Sequence, residues 1–119
     1  MAKPGQLPEQ ILAAVARRNR YPLGVLIYYG PDDQTCTRVT AAVINAPNAR
    51  PDFRHWYGDQ PASDPQVIAE IGDFFRLHGV RAALMTEGIV DCPHDEGIDY
   101  PEGEPCPYCP FWSEQRKAS

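Results

Sequence analysis

A long segment near the C-terminus of this 119-residue chain, residues 82–115, lacks lysine and arginine. Residues 82–115 contain eight carboxylates and no basic side chain, whereas residues 1–81 hold nine basic and eight acidic ones. Proteins bind phosphate backbones mainly through Lys and Arg. The absence argues against a nucleic-acid interface in this segment, and we do not expect nucleic acid as a partner.

Long apolar runs are also missing. No stretch approaches the ~20 apolar residues that a membrane-spanning helix needs, and the N-terminal MAKPGQLPEQ lacks the apolar region of a secretory signal. These two absences predict a soluble, cytoplasmic protein without membrane contact. The length of 119 residues, with 43% apolar and 23% charged side chains, predicts one globular domain spanning 1–119.

Hydrophobic patterning predicts six elements in the order α-β-β-β-α-β. Leu7, Ile11 and Val15 recur at helical spacing. The clearest helix begins with Asp64 as its cap and Pro65 at its first position. Short apolar, β-branched or aromatic runs such as LGVLIYY predict buried strands. The predicted limits are a helix at 7–20, strands at 23–29, 37–45 and 52–58, a helix at 64–79 and a strand at 80–86.

This order predicts an α+β fold, with a single mixed or antiparallel sheet and the helices packed on one face of it. The chain beyond the last strand is different, because residues 93–110 contain five prolines and two glycines. Neither a helix nor a strand ladder tolerates that composition. We therefore expect an α+β core at 1–87 and an irregular loop at 88–112, which packs on the core through Phe111 and Trp112.

Three of the four cysteines and one histidine lie in this loop, in the pattern CxHx11CxxC. A CxxC brings two thiolates to one ion, and a second pair of ligands completes the tetrahedron that zinc prefers. Clustered cysteines in a cytosolic protein favour a metal site over disulfides. One bound zinc ion would also order a proline-rich segment that has no hydrogen-bond ladder of its own. The predicted ligands are Cys92, His94, Cys106 and Cys109.

The tetrapeptide CPYC, residues 106–109, also resembles the active site of glutaredoxins. In that chemistry the first thiol lies at the N-terminus of a helix that follows a strand, and this position lowers its pKa. Here Pro110 follows directly and only nine residues remain after it. No βαβ unit fits into that length, so the context favours the metal site over redox chemistry.

A further alternative is an enzyme. HDE at 94–96 together with PCPYC at 105–109 resembles the signature of zinc deaminases, in which a Glu acts as general acid/base on a zinc-bound water. The eight residues between these motifs are too few for the strand and helices that present the ligands in that family. Cys92 would also fill the coordination position that the water needs. Glu96 is the candidate catalytic residue of this alternative.

Other side chains give weaker signals. Cys36 is distant in sequence from the other cysteines and is predicted to be a small buried apolar residue. Alternation places Phe53, His55 and Tyr57 on one face of a partly exposed strand, a surface that a ligand or partner could bind. The loop carboxylates could be ligands, acceptors for the His94 ring or solvated charges, and the last is the usual state of such residues: Asp91, Asp95 and Glu96.

The stretch GIVDCPHDEGIDYPEGEPCPYCPFW at 88–112, together with VLIYYGPDDQT at 25–35, is similar to uncharacterised bacterial proteins with a zinc-binding domain. The resemblance implies a self-contained domain and brings no activity with it. We therefore predict a zinc-binding domain that serves as a binding or regulatory module for a protein or small-molecule partner. The alternative from another class is a zinc-dependent hydrolase or deaminase-like enzyme that uses Glu96.

Overall fold

The computed structural model describes residues 7–18 and 20–112. Residues 1–6, 19 and 113–119, which the predicted domain limits include, lie outside the described residues. The predicted order of six elements is confirmed, with a short 3₁₀ helix added at Pro61–Ser63. The elements are α1 (Glu9–Arg17), β1 (Leu23–Tyr29), β2 (Arg38–Ile44), β3 (Asp52–Tyr57), α2 (Pro65–Leu77) and β4 (Ala82–Asp91).

The four strands form one mixed sheet in the order β3-β2-β1-β4. β1 and β2 are antiparallel, as are β2 and β3, whereas β4 runs parallel to β1 after the crossover through α2. The α+β prediction is therefore confirmed. At one end of the sheet Tyr29 pairs with Arg38 on β2 and with Asp91 on β4. This pairing places the end of β4 and the beginning of β2 at the same end of the sheet, on either side of β1, and the predicted metal-binding loop starts there.

β4 is longer than its sequence pattern indicates. The prediction ended the strand at Thr86, but pairing with β1 continues beyond Gly88 to Asp91. A register shift accommodates Gly88, whose φ of +67° is costly for other residues. The Thr86 hydroxyl donates to the carbonyl of Gly88 and accepts from the N–H of Tyr28, which holds the shifted segment on the sheet. The predicted boundary between core and loop at residue 88 therefore falls inside a strand.

The helices pack on opposite faces of the sheet, so the expectation of a single helical face is wrong. Ile11 of α1 packs with Val25 and other residues that point to one side of β1. Ile71 and Phe74 of α2 pack with the alternate set on β2, including Val39. Side chains alternate between the two faces of a strand. The parallel crossover to β4 carries α2 over the face opposite to α1.

The beginning of α2 is as predicted. The Asp64 carboxylate accepts a hydrogen bond of 2.9 Å from the N–H of Gln66, and Pro65 occupies the first helical position. Gly79 follows the helix with a φ of +66°.

In the part of the chain that the structure describes, no helix combines the length and apolarity of a membrane span.

Candidate metal centre

The structure brings the four predicted metal ligands together. The sulfur atoms of three cysteines and a ring nitrogen of the histidine all lie within 4.8 Å of one another. The three thiols are free and buried, and the imidazole is half-buried. Tyr100 completes this small buried cluster, and Trp112 packs against it. The cluster members that carry candidate ligand atoms are Cys92, His94, Cys106 and Cys109.

Distances within the cluster fit a tetrahedral ion. His94 Nδ1 lies 3.5 Å from the Sγ of Cys106 and 3.4 Å from the Sγ of Cys109. Zinc bonds of about 2.3 Å to sulfur and about 2.0 Å to nitrogen separate tetrahedral ligand atoms by roughly 3.5 to 3.8 Å. Three thiolates and one imidazole are also a donor set that suits zinc. The residues present can therefore hold one zinc ion.

The end of β4 positions the first candidate ligand, Cys92. Asp91, the last residue of the strand, accepts a hydrogen bond from the N–H of Gly30 through its carbonyl, at 3.0 Å. Its carboxylate accepts one from the N–H of Cys92, at 2.8 Å. The side chain of Asp91 is buried, so this carboxylate is not the solvated charge that was expected. Cys92 thus leaves the sheet in a fixed direction.

A series of tight turns brings the second pair of ligands back to the first. Asp99 N–H donates to the carbonyl of Asp95, at 2.8 Å, and Asp99 Oδ2 accepts from the Asp95 N–H, at 2.7 Å. Gly97 N–H donates to the carbonyl of Tyr100 at 2.8 Å, with Gly97 at a φ of +86°. These are local bonds and not a ladder. The loop is irregular, as its proline content predicts.

Burial raises the pKa of two of the three thiols in the cluster. Burial is the largest effect at Cys109 and raises the pKa of its thiol to about 11, with the sulfur of Cys106 adding to the rise. The pKa of Cys92 is raised further, again mainly by burial, and a hydrogen bond with the backbone of His94 partly opposes the rise. Metal ligation requires thiolates, so binding of an ion here would release protons.

The aromatic end of the loop contacts the sheet. Trp112 donates from Nε1 to the carbonyl of Gly30, at 2.8 Å, just beyond the end of β1. Its ring meets that of Phe111 edge to face, with the centroids 5.0 Å apart. Gly30 is tightly enclosed, because a Cβ at this position would lie 1.7 Å from the carbonyl oxygen of Thr35. The expected contact between the loop end and the sheet is present at Trp112.

Arg38 joins the loop to the sheet, a role that sequence analysis missed. Its Nη1 donates to the carbonyl of Pro93 and to Asp95 Oδ1, each at 2.9 Å. Its Nε donates to the Thr40 hydroxyl at 3.1 Å, and the guanidinium lies 4.7 Å from the centre of the Tyr29 ring. The side chain is only 5% exposed. An arginine at the start of the otherwise apolar run RVTAAVI was the available signal, because a buried arginine needs a partner.

The aromatic row on β3 lies beside this arginine. The rings of Phe53, His55 and Tyr57 follow one another at 6.2 and 6.3 Å, so the predicted shared face is confirmed. His55 Nδ1 lies 3.1 Å from Arg38 Nη2 and 2.8 Å from the Thr40 hydroxyl. Because arginine only donates, we assign the proton of the neutral imidazole to Nε2. Burial and the nearby Arg38 charge both lower the pKa of His55.

Glu96 and Cys36 lie outside the group of clustered ligand atoms. Glu96 is buried in the loop and bridges to Tyr100 through the backbone. Cys36 is a buried member of the core cluster on the α2 side, as predicted, and its thiol donates to the carbonyl of Arg38 at 3.5 Å. The fourth candidate ligand atom therefore comes from Cys92, and not from a carboxylate.

Comparisons of the chain with protein-family models, with curated proteins and with solved structures found no match.

Proposed function

We propose that the protein is a small zinc-binding domain in which one zinc ion has a structural role. The single observation that supports this proposal is the convergence of four nitrogen and sulfur ligand atoms within 4.8 Å of one another. Cys92, His94, Cys106 and Cys109 would be the ligands of a closed tetrahedral site. A closed site leaves no position for a reactive water, so the ion stabilises the fold and does no chemistry.

The composition of the loop explains why zinc would be needed to order it. Between its ligands the chain has turn hydrogen bonds but no strand or helix. Ordering such a segment costs about 1 to 2 kcal/mol per residue in backbone entropy alone. Ligation in small zinc sites contributes about 10 kcal/mol or more, which offsets much of that cost.

We further propose that the domain is a binding or regulatory module for a protein or small-molecule partner. If the metal is structural, the function of the domain depends on its surface. The most distinctive feature of that surface is the aromatic row on β3, formed by Phe53, His55 and Tyr57. Three free thiols suit a reducing compartment, which supports a cytoplasmic location. The resemblance of the loop to bacterial zinc-binding proteins stays a prediction.

The rival function is a zinc-dependent hydrolase or deaminase-like enzyme. It would use His94, Cys106 and Cys109 as ligands, with water in the fourth position and Glu96 as general acid/base. The burial of Glu96 in the same loop is the observation in its favour. The two functions differ in what Cys92 does, because it is a ligand only in the closed site.

Replacement of Cys92 distinguishes them. We would purify wild-type protein, C92S and the control C36A without chelators, measure zinc by elemental analysis and record spectra of the cobalt-substituted proteins. A closed site predicts one zinc per chain in wild type and C36A. In C92S it predicts weaker zinc retention and a weaker thiolate-to-cobalt charge-transfer band, because one sulfur ligand is lost.

Two results would contradict the proposal in different ways. If C92S keeps its zinc, its cobalt spectrum and its fold, the closed site is wrong and the open-site enzyme is favoured. If wild-type protein contains no metal and binds none on addition of zinc, the zinc site itself is wrong.

A further inference from the structure

Tyr100 is a buried polar residue whose hydroxyl has no hydrogen-bond partner among the described residues. The residue is only 4% exposed. It packs in the same cluster as Cys92, Cys106 and Cys109, so its side chain lies against the residues that carry the candidate ligand sulfurs. An unsatisfied buried hydroxyl costs about 1 to 3 kcal/mol. A phenylalanine would avoid this cost, which indicates that the hydroxyl has a partner in the metal-bound state.

The proposed metal centre needs hydrogen-bond donors. A Zn²⁺ ion with three thiolates and one neutral imidazole carries a net charge of −1. The carboxylates of Asp91 and Glu96 are buried in the same region and add negative charge. A proline follows each of the three cysteines, so the residue next to each one has no N–H to donate. The O–H of Tyr100 is a buried donor on a residue of this cluster, and it has no partner among the described residues.

We propose that the Tyr100 hydroxyl donates a hydrogen bond to a metal-bound thiolate of the cluster and thereby strengthens metal binding. This inference rests on the proposed zinc site. Tyr100 is a positioning residue in it and not a ligand. In the loaded protein a thiolate accepts it well, because hydrogen bonds to ionised acceptors are the stronger ones.

The test compares Y100F with Y108F. Tyr108 lies in the same loop with its ring 5.0 Å from that of His94, but it is 62% exposed, so it controls for loss of a tyrosine hydroxyl near the site. We would measure zinc affinity by competition with a chelator and record the charge-transfer band of the cobalt-substituted proteins. Loss of a hydrogen-bond donor to a metal site typically lowers affinity 10- to 100-fold.

We expect zinc affinity to fall about 10- to 100-fold in Y100F and to stay within about twofold in Y108F. The charge-transfer band of Y100F should move to longer wavelength, because a thiolate without its hydrogen bond donates electrons more readily. Metal-free Y100F should be as stable as metal-free wild type, because the loop that carries Tyr100 is released without metal. A residue that acts only by packing would lower zinc affinity without moving the charge-transfer band.

Equal zinc affinity and an unchanged cobalt band in a folded Y100F would overturn this inference while leaving the zinc site intact. A wild-type protein that binds no metal would overturn the proposed site, and this inference with it. Should Y100F not fold, NMR of wild-type protein decides. The Tyr100 hydroxyl proton must exchange more slowly with solvent in the zinc-loaded form than in the metal-free form, and equal exchange contradicts the bond.

Discussion

Replacement of Arg38 by methionine tests whether the loop is held by the sheet as the structure indicates. Methionine keeps the apolar stem and removes the guanidinium. The substitution leaves Asp95, the carbonyl of Pro93 and the Thr40 hydroxyl without the donor that each now has. It also removes the cation that lies 4.7 Å from the Tyr29 ring. Both the stability of the fold and the position of the candidate ligands depend on these contacts.

The magnitude follows from burial. Removal of one partner from a buried ion pair costs about 3 to 5 kcal/mol, because the other charge remains without compensation. Asp95 keeps 20% of its side chain exposed, so water partly replaces the arginine there. We therefore expect the lower end of that range, about 3 kcal/mol of unfolding free energy. Zinc affinity should fall as well, because Pro93 and Asp95 flank His94 in the chain.

Urea unfolding of the zinc-loaded proteins, at a fixed excess of zinc, measures the effect. With a slope of about 2 kcal/mol per molar urea, the midpoint of R38M should drop by about 1.5 M. The matched control is R54M, since Arg54 also pairs with a carboxylate and stacks on a ring, but it is 47% exposed. An exposed pair is worth about 1 kcal/mol or less. If R38M costs no more than R54M, Arg38 does not hold the loop.

Three further outcomes are expected. Burial and Arg38 lower the pKa of His55, so the contribution of this residue to stability is present above pH 6.5 and is lost as the pH falls below it. An NMR titration should give His55 a pKa below 6.5 that rises in R38M. A value at or above 6.5 would contradict the assigned hydrogen bonds. Chelation should lower the melting temperature. In a W56F background it should also shift the fluorescence emission of Trp112 to longer wavelength, because release of the loop would break the hydrogen bond from Trp112 to Gly30. An unchanged spectrum would show that the loop does not depend on metal. G30A should lower the free energy of unfolding by about 2 kcal/mol or more in chemical denaturation, because its Cβ meets the Thr35 carbonyl. The control G72A in α2 should raise it by up to about 1 kcal/mol. Similar values for the two variants would refute the close approach at Gly30.

The fold was predictable from local signals. Strands such as LGVLIYY and the capped helix that begins after Asp64 carry their own patterns of apolar residues and turn chemistry. The sides on which the helices pack were not predictable in this way. They depend on the parallel pairing of β4 with β1, which joins residues far apart in sequence. The extension of β4 beyond Gly88 was missed for a similar reason. Only the pairing with β1 shows that Gly88 lies in a bulge within the strand and does not end it.

The candidate site shows the same division. The convergence of the four candidate ligands was predictable, because metal-binding side chains recur at characteristic spacings and the pattern CxHx11CxxC can be recognised without knowledge of the fold. Arg38 and Tyr100 were not predictable. Arg38 is separated from Asp95 by 57 positions, and its burial follows from the pairing of β1 with β2 and β4. The position of Tyr100 in the cluster depends on the turns of the loop, which the proline content excludes from any regular pattern.

The loop contacts the sheet at few places, and this explains why a metal would be needed. Asp91 and Trp112 fix its two ends at Gly30, and Arg38 fixes its first turn at Pro93 and Asp95. Between the first turn and Trp112, the buried cluster of three thiols and Tyr100 is the loop's own core. Four side chains bury too little apolar surface to order a segment of that length. The sheet has separate and larger clusters on its two faces, so loss of metal should release the loop and leave the sheet folded.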